Sequence, residues 1–420
     1  MDEQIFSSIF SLYSGVRRRT QLLVSDLSAE DMVVQTMPDV SPTKWHLAHT
    51  TWFWECFILR KYDPDYVEFS PEFNYLFNSY YEQIGERHAR PERGFLTRPS
   101  LDEVLAYRAH VDAAMERLLS GNHKIDSTEV KALVELGVAH EEQHQELLVT
   151  DIKHVLSRHP FSPKAWAEET LRGNDLPELS WRAFQGGLYE FGHVGEDFHF
   201  DNEGPRHQYW LEDFALASRP VSNGEYLEFM ADDGYGSAAL WLSEGWASVN
   251  RENWAAPLYW FRKEGEWFEF TLGGERRVDP DAPVSHLSYF EAAAFAEWAG
   301  ARLPEEREWE FAAASHNPGL ADTLDPARAP HPVSRPEHGG FSQLFGGVWE
   351  WTRSAYSAYP RYRPAAGAVG EYNGKFMCGQ FVLKGGSCAT PPGHVRASYR
   401  NFFPPDARWQ FSGVRLAKDI

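Results

Sequence analysis

The strongest constraint on this chain is a change in the spacing of its apolar residues near residue 157. Before that point Ile5 to Leu27, Lys44 to Lys61, Leu101 to Leu119 and Val130 to Leu156 carry apolar side chains three and four apart, which predicts four helices. Ser100 with Glu103 and Asp126 with Glu129 have the spacing of capping boxes, in which a hydroxyl or carboxylate and a Glu satisfy the first free amides of a helix. Four helices with one long connection, residues 62–99, predict a four-helix bundle. That connection is rich in Tyr, Phe, Asn and Arg, and a loop of its length inside a compact domain is expected to be functional. From Ser157 to Leu179 the chain has linker composition, with Pro160, Pro163, Gly173 and Pro177. Beyond it short strands alternate with Gly and Pro turns, and two helices stand out, Asn223 to Met230 and Tyr289 to Gly300. The expected organisation is a helical domain over residues 1–157, a linker over 158–179 and an irregular α+β domain over 180–420. No internal repeat is visible.

A chain of 420 residues is long for a single core, in keeping with two domains. Its 16 Trp and 15% aromatic content favour packed cores and aromatic-lined pockets over disorder. Lys plus Arg number 40 against 61 Asp plus Glu, and a net charge of −21 argues against binding nucleic acid or an anionic membrane. A small-molecule substrate is the expected partner. Met1 to Phe10 lacks the pattern of a secretory signal, and the apolar stretches are broken before the roughly 20 residues a membrane helix needs, so the expected location is the cytoplasm. Cys56, Cys378 and Cys388 are too few for a disulfide framework or a four-cysteine metal site.

The fourth predicted helix contains His140-Glu-Glu-Gln143-His144. A step of four residues leaves the two imidazoles within about 40° of each other on one face, a turn apart, so that both can reach one metal. The second helix contains Trp45-His46-Leu-Ala-His49, and a neighbouring helix is where a bundle finds a third ligand. Spacing does not choose between His46 and His49. Three histidines leave coordination positions open, as a catalytic metal requires. Imidazole suits Zn, Fe, Cu and Ni alike, so spacing does not name the metal. Three neutral ligands leave the charge of a divalent ion uncompensated, which favours an anionic fourth ligand such as a thiolate or selenolate. In the long connection, Asn78-Ser79-Tyr80-Tyr81 offers phenols that can donate a proton, and Arg87 and Arg90 offer guanidiniums that can hold a carboxylate. Without the histidines these would read as packing and surface charge.

Trp45-His-Leu-Ala-His49-Thr-Thr-Trp, His140-Glu-Glu-Gln-His144 and the segment from Gly385-Gly-Ser through Arg400-Asn-Phe-Phe-Pro-Pro-Asp-Ala-Arg-Trp-Gln-Phe-Ser-Gly-Val-Arg415 resemble the EgtB family of ergothioneine-forming sulfoxide synthases. Almost the whole chain takes part in the resemblance. It implies a DinB-like four-helix bundle followed by a formylglycine-generating-enzyme-like, C-type-lectin-like α+β domain that completes the substrate pocket. Gly186-Gly-Leu-Tyr-Glu-Phe-Gly192, Arg302-Leu-Pro-Glu-Glu-Arg-Glu-Trp309 and Val348-Trp-Glu-Trp351 are similar to motifs of that second domain. The resemblance implies iron(II) on His49, His140 and His144, with O2 as co-substrate. Gln143 is implied as a contact to hercynine, the trimethylated histidine, and Asn401 as a residue of the same pocket. Tyr80-Tyr81 resembles the tyrosine pair of members that use free cysteine, the second tyrosine standing at the oxygen chemistry. Where members using γ-glutamylcysteine carry a tyrosine, Phe402 and Phe403 occupy the neighbourhood. Arg87 and Arg90 are expected to hold the donor.

Selenoneine synthases, which join a selenosugar to hercynine, resemble the same family. Gly347 and Gly379 stand where polar residues are expected in sulfoxide synthases and suggest a wider pocket. Cysteine is the expected donor and a selenosugar the alternative. A DinB-type metal-dependent thiol transferase would leave the second domain unexplained. A formylglycine-generating enzyme would need a reactive cysteine pair, and a lectin-like binding protein would have no use for the three histidines.

Overall fold

The computed structural model describes residues 2–120, 127–166 and 173–420. The chain divides into two compact units, Met1–Ala165 with Ala365–Tyr372, and Trp166–Pro364 with Asn373–Ile420. A short piece of the later sequence thus folds with the first unit, which no sequence pattern announces.

In the first unit α1 spans Asp2–Val24, α2 Thr43–Trp54, α3 Leu101–Ser120 and α4 Ser127–Ser157. The predicted helix from Lys44 to Lys61 is interrupted: α2 passes into a π-helical turn at Glu55–Leu59 before a last turn at Arg60–Tyr62. Glu55, at the start of the wide turn, is buried and accepts hydrogen bonds from Tyr66 at 2.5 Å and Tyr107 at 2.6 Å. The Ser100–Glu103 capping box is formed, with the Ser100 amide donating to Glu103 at 2.7 Å and the Glu103 amide to the Ser100 hydroxyl at 3.3 Å. Asp126 of the second expected pair lies outside the described residues.

Every residue of α2 is buried, the signature of a helix surrounded by packing rather than lying on a surface. Its polar side chains therefore need partners inside the bundle. The Glu141 carboxylate of α4 supplies the hub: Arg17 of α1 at 3.2 Å, Arg108 of α3 at 3.3 Å, Thr20 at 2.7 Å and the Trp54 indole of α2 at 2.8 Å all donate to it. Burial would raise the Glu141 carboxyl, but the two guanidiniums and these donors outweigh it and hold it down to about 2. One turn earlier, Gly137 leaves room for the Trp54 ring, which an added Cβ would meet at 2.5 Å. These contacts fix the rotation of α4, and with it the direction of His140 and His144.

The second unit contains β1 (Trp181–Phe184), β2 (Gly187–Phe191), β3 (His207–Leu211), β4 (Phe214–Ala217), α5 (Asn223–Ala231), α6 (Ser243–Glu252), β5 (Trp260–Lys263), β6 (Glu266–Thr271), β7 (Gly274–Arg277), α7 (Tyr289–Trp298), α8 (Glu306–Ala313), β8 (Trp349–Ala355), β9 (Phe381–Lys384), β10 (Asn401–Phe403), β11 (Ser412–Gly413) and β12 (Ala417–Asp419). They form small sheets in the orders β1-β4-β12, β10-β9-β8-β11, β2-β3 and β5-β6-β7. The helices α6 and α8 exceed the two expected; α8 is short and begins in the charged run Glu305-Glu-Arg-Glu, and only Trp309, Ala312 and Ala313 give it a buried apolar edge.

Much of what the sequence motifs encode here is scaffold. Glu350 and Arg415 form a fully buried pair at 2.7 Å, and the Trp309 indole donates to the same carboxylate at 2.6 Å. Arg400 pairs with Glu306 at 2.8 Å, and both guanidinium arms of Arg302 reach Glu308 at 2.7 Å. Pairing of this kind offsets much of the cost of burying a charge.

Candidate metal centre

His49 comes from α2, and His140 and His144 from successive turns of α4. One ring nitrogen from each lies within 4.8 Å of the others. His49 and His140 present Nε2 to each other at 3.1 Å. His49 Nδ1 stands 2.6 Å from the Phe77 carbonyl, which can only accept, so Nδ1 carries the hydrogen and Nε2 keeps its lone pair. Burial above all, and then the neighbouring imidazoles, hold His49 and His144 well below the ordinary histidine pKa. Burial likewise brings His140 down to about 3, against the pull of Glu141. Three neutral imidazoles turned toward one point repel protons and suit a metal cation. His46 is not part of the cluster; it stands behind His144, with the two Nδ1 atoms 2.9 Å apart.

Aromatic rings hold these ligands. Trp45 stacks on His49 at 4.6 Å and 10°, Trp52 stacks on it at 5.6 Å and 19°, and Phe53 stacks on His140 at 4.3 Å. Over the Trp45 ring lies the guanidinium of buried Arg93, 3.3 Å from the ring centre.

Tyr80 and Tyr81 lie beside this shell with ring centres 4.8 Å apart, and Tyr81 is 5.7 Å from Trp52. Asn78 shapes their loop: its Oδ1 accepts from the Tyr81 amide at 3.1 Å, while its Nδ2 donates to the carbonyls of Tyr81 at 3.0 Å and Gly85 at 3.1 Å. The Tyr81 hydroxyl is buried, and the Tyr80 hydroxyl is its hydrogen-bonding neighbour. Burial, more than any other cause, raises both phenols, so they remain protonated donors. Tyr372, on the segment that folds with the first unit, adds a third phenol: its ring is 5.7 Å from His140 and 6.1 Å from Tyr80, and its hydroxyl donates to Gln143 Oε1. Glu371 anchors the same segment by accepting from the amides of Glu82 and Gln83, each at 3.0 Å.

The structure therefore brings together His49, His140, His144, Gln143, Tyr80 and Tyr81. It does not bring Arg87 or Arg90 into that shell. Both are exposed, Arg87 pairing with Glu82 at 2.9 Å and Arg90 donating to the Asp39 carbonyl. Asn401, Phe402 and Phe403 form β10 of the second unit, where Phe402 stacks on Tyr356 at 4.0 Å and the Asn401 side chain accepts from the Phe402 amide at 2.9 Å. Gly347 and Gly379 have φ of +72° and +66°, a region that favours glycine, so backbone conformation accounts for them without appeal to donor size. Sequence reasoning missed Tyr372, Arg93 and the place of His46. Only His46 had a signal, its position in Trp45-His-Leu-Ala-His49, and that signal was ambiguous.

A helical unit with three convergent neutral histidines, joined in one chain to an α+β unit, defines a two-domain protein whose helical unit carries a candidate mononuclear metal site. Residues 12–148 match the DinB superfamily and residues 177–420 the Sulfatase-modifying factor enzyme 1-like domain. The "Hercynine oxygenase" of Mycolicibacterium smegmatis is 32% identical over 96% of this chain and 97% of that protein, and its namesake in Mycobacterium tuberculosis is also 32% identical, over 96% and 97%. "Ergothioneine biosynthesis protein 1" of Schizosaccharomyces pombe is 27% identical over 53% of this chain and 28% of its own length. The chain belongs to the EgtB-type hercynine oxygenase family, with a DinB-like bundle followed by a formylglycine-generating-enzyme-like domain.

Proposed function

We propose that this protein is an iron(II)- and O2-dependent synthase that joins the sulfur of a thiol donor, cysteine, to the imidazole ring of hercynine. The observation that carries the reading is the meeting of His49, His140 and His144 as three neutral imidazoles beside a pair of buried phenols. Iron(II) on these ligands supplies the redox chemistry that makes O2 reactive. Three neutral ligands favour an anionic thiolate as a further partner. Tyr81, held protonated by burial, is the proton donor of the oxygen step, and Tyr80 is its neighbour in the relay. Gln143, one residue before His144, contacts hercynine and is oriented by the Tyr372 hydroxyl. Aromatic faces suit the trimethylammonium group, which cannot donate hydrogen bonds, at about 0.5–2 kcal/mol per ring. Asn401, Phe402 and Phe403 keep the substrate-binding role that family membership suggests.

The test is protein loaded with iron(II) under anaerobic conditions, then given hercynine and O2 with cysteine, γ-glutamylcysteine or a selenosugar in parallel, with mass analysis of the product. A carbon–sulfur product with cysteine is expected, and its loss in each of His49→Ala, His140→Ala and His144→Ala. Efficient turnover with the selenosugar and only traces with cysteine would replace the donor. Product formed by the metal-free protein would overturn the metal-centre reading.

A further inference from the structure

We propose that His46 and Asp151 act as a positioning relay that fixes the tautomer and orientation of His144; this rests on the metal-centre reading above. His144 and Asp151 are seven residues apart on α4, hence within about 20° of one face. His46, reaching in from α2, bridges them: its Nδ1 is 2.9 Å from His144 Nδ1, and its Nε2 is 3.0 Å from Asp151 Oδ2. The same Oδ2 accepts from the Ser41 amide at 2.8 Å, so the carboxylate is itself held in place. Both His46 and Asp151 are 3% exposed, which keeps water from substituting for either.

The polarity of the chain follows from what each atom can do. An ionised carboxylate only accepts, so His46 Nε2 carries a hydrogen and, in a neutral ring, His46 Nδ1 is an acceptor. Two facing Nδ1 atoms bond only if one donates. That donor is His144 Nδ1–H, and His144 Nε2 is left with a lone pair for the cluster. The reverse polarity would require a cationic His46 and would place a hydrogen on His144 Nε2, the nitrogen left for a metal. His49 solves the same problem with the Phe77 carbonyl. Such partners orient a ligand and raise its basicity, and losing one typically weakens metal affinity about 10- to 100-fold.

The experiment is a spectrophotometric titration of metal-free full-length protein with cobalt(II), comparing the native chain with His49→Ala, His46→Phe, Asp151→Asn and the His46→Phe, Asp151→Asn double variant. His46→Phe should bind cobalt(II) about 10- to 100-fold more weakly. Asp151→Asn should lose less, because an amide oxygen still accepts. The double variant should be no weaker than His46→Phe alone, because Asp151 acts only through His46. Nitrogen NMR of 15N-histidine-labelled, metal-free protein should show His144 protonated at Nδ1 in the native chain and mixed in His46→Phe. Unchanged affinity in His46→Phe, additive losses in the double variant, or a native His144 protonated at Nε2 would each overturn the relay. Should His46→Phe not fold, Asp151→Asn and the native spectrum decide. Equal cobalt(II) binding by the native chain and His49→Ala would instead defeat the metal-centre reading itself, an outcome distinct from failure of the relay.

Discussion

Tyr81 is the residue whose proposed role is most exposed to test. Replacing it with Phe removes one oxygen from a ring packed against Trp52, Phe57 and Tyr80, so shape and stability should change little. A positioned general acid contributes about 10²- to 10⁴-fold, and carbon–sulfur bond formation should fall within that range in Tyr81→Phe, with part of the turnover diverted to oxidation of the thiol. Product formation at the native rate, in this variant and in the Tyr80→Phe, Tyr81→Phe double variant, would remove the phenols from the reaction. His140 and His144 were legible because a four-residue step on a helix has one geometric meaning. Spacing alone left the third ligand open, since His46 and His49 both lie near one side of α2; the family resemblance pointed to His49, and packing against α4 is what separates the ligand from its support. Tyr372 could not be read at all: nothing local marks a residue whose partners lie on a distant helix and loop. The arginines mislead for a related reason, because charge in a sequence says nothing of burial, and here Arg93 is buried while Arg87 and Arg90 are exposed.

At the scale of elements, the four helices of the first unit were legible from apolar spacing; the start of α3, marked by its capping box, falls at Leu101 as expected, whereas ends without such a signal, as in α1 and α4, are off by a few residues. The wide turn at Glu55–Leu59 left no trace in the spacing. It follows from tertiary demand, a buried carboxylate shared by Tyr66 and Tyr107. The short helices α6 and α8 were missed although α5 and α7 are of similar length, because their sequences, Ser243-Glu-Gly-Trp-Ala-Ser-Val-Asn-Arg-Glu252 and the charged start of α8, offer few apolar residues to establish a period. The hub at Glu141 yields a prediction here. Glu141→Gln keeps the shape but leaves Arg108 buried without its carboxylate partner and Arg17 with Asp112 alone, and breaking a buried pair typically costs about 3–5 kcal/mol. Urea unfolding followed by circular dichroism should show a loss of that order; a change under 1 kcal/mol, roughly the value of an exposed pair, would mean that the hub is not what sets α4. Ser100→Ala should cost about 1 kcal/mol by removing the cap of α3 in the same assay.

For the molecule as a whole, the change from helical to irregular α+β grammar was plain in the sequence, whereas the joining of Ala365–Tyr372 to the first unit was not, because long-range packing imposes no local period. The ligands of the proposed centre likewise come from α2 and α4, far apart in the chain, so an unfolded chain would have to close a long loop to gather them. Metal should therefore bind the folded state far better than the unfolded one and stabilise it by mass action. Iron(II) at a hundred times its dissociation constant adds about 2.7 kcal/mol. For a unit of this size each kcal/mol moves the melting temperature by roughly 2–4 °C, so anaerobic iron(II) should raise the midpoint by roughly 5–11 °C relative to chelator-treated protein. His140→Ala removes a ligand whose ring already packs on Phe53, so the variant should fold, melt somewhat lower without metal, and show no shift when iron(II) is added. An equal shift in His140→Ala and the native chain would place the stabilising ion elsewhere and leave the histidine cluster without its proposed occupant.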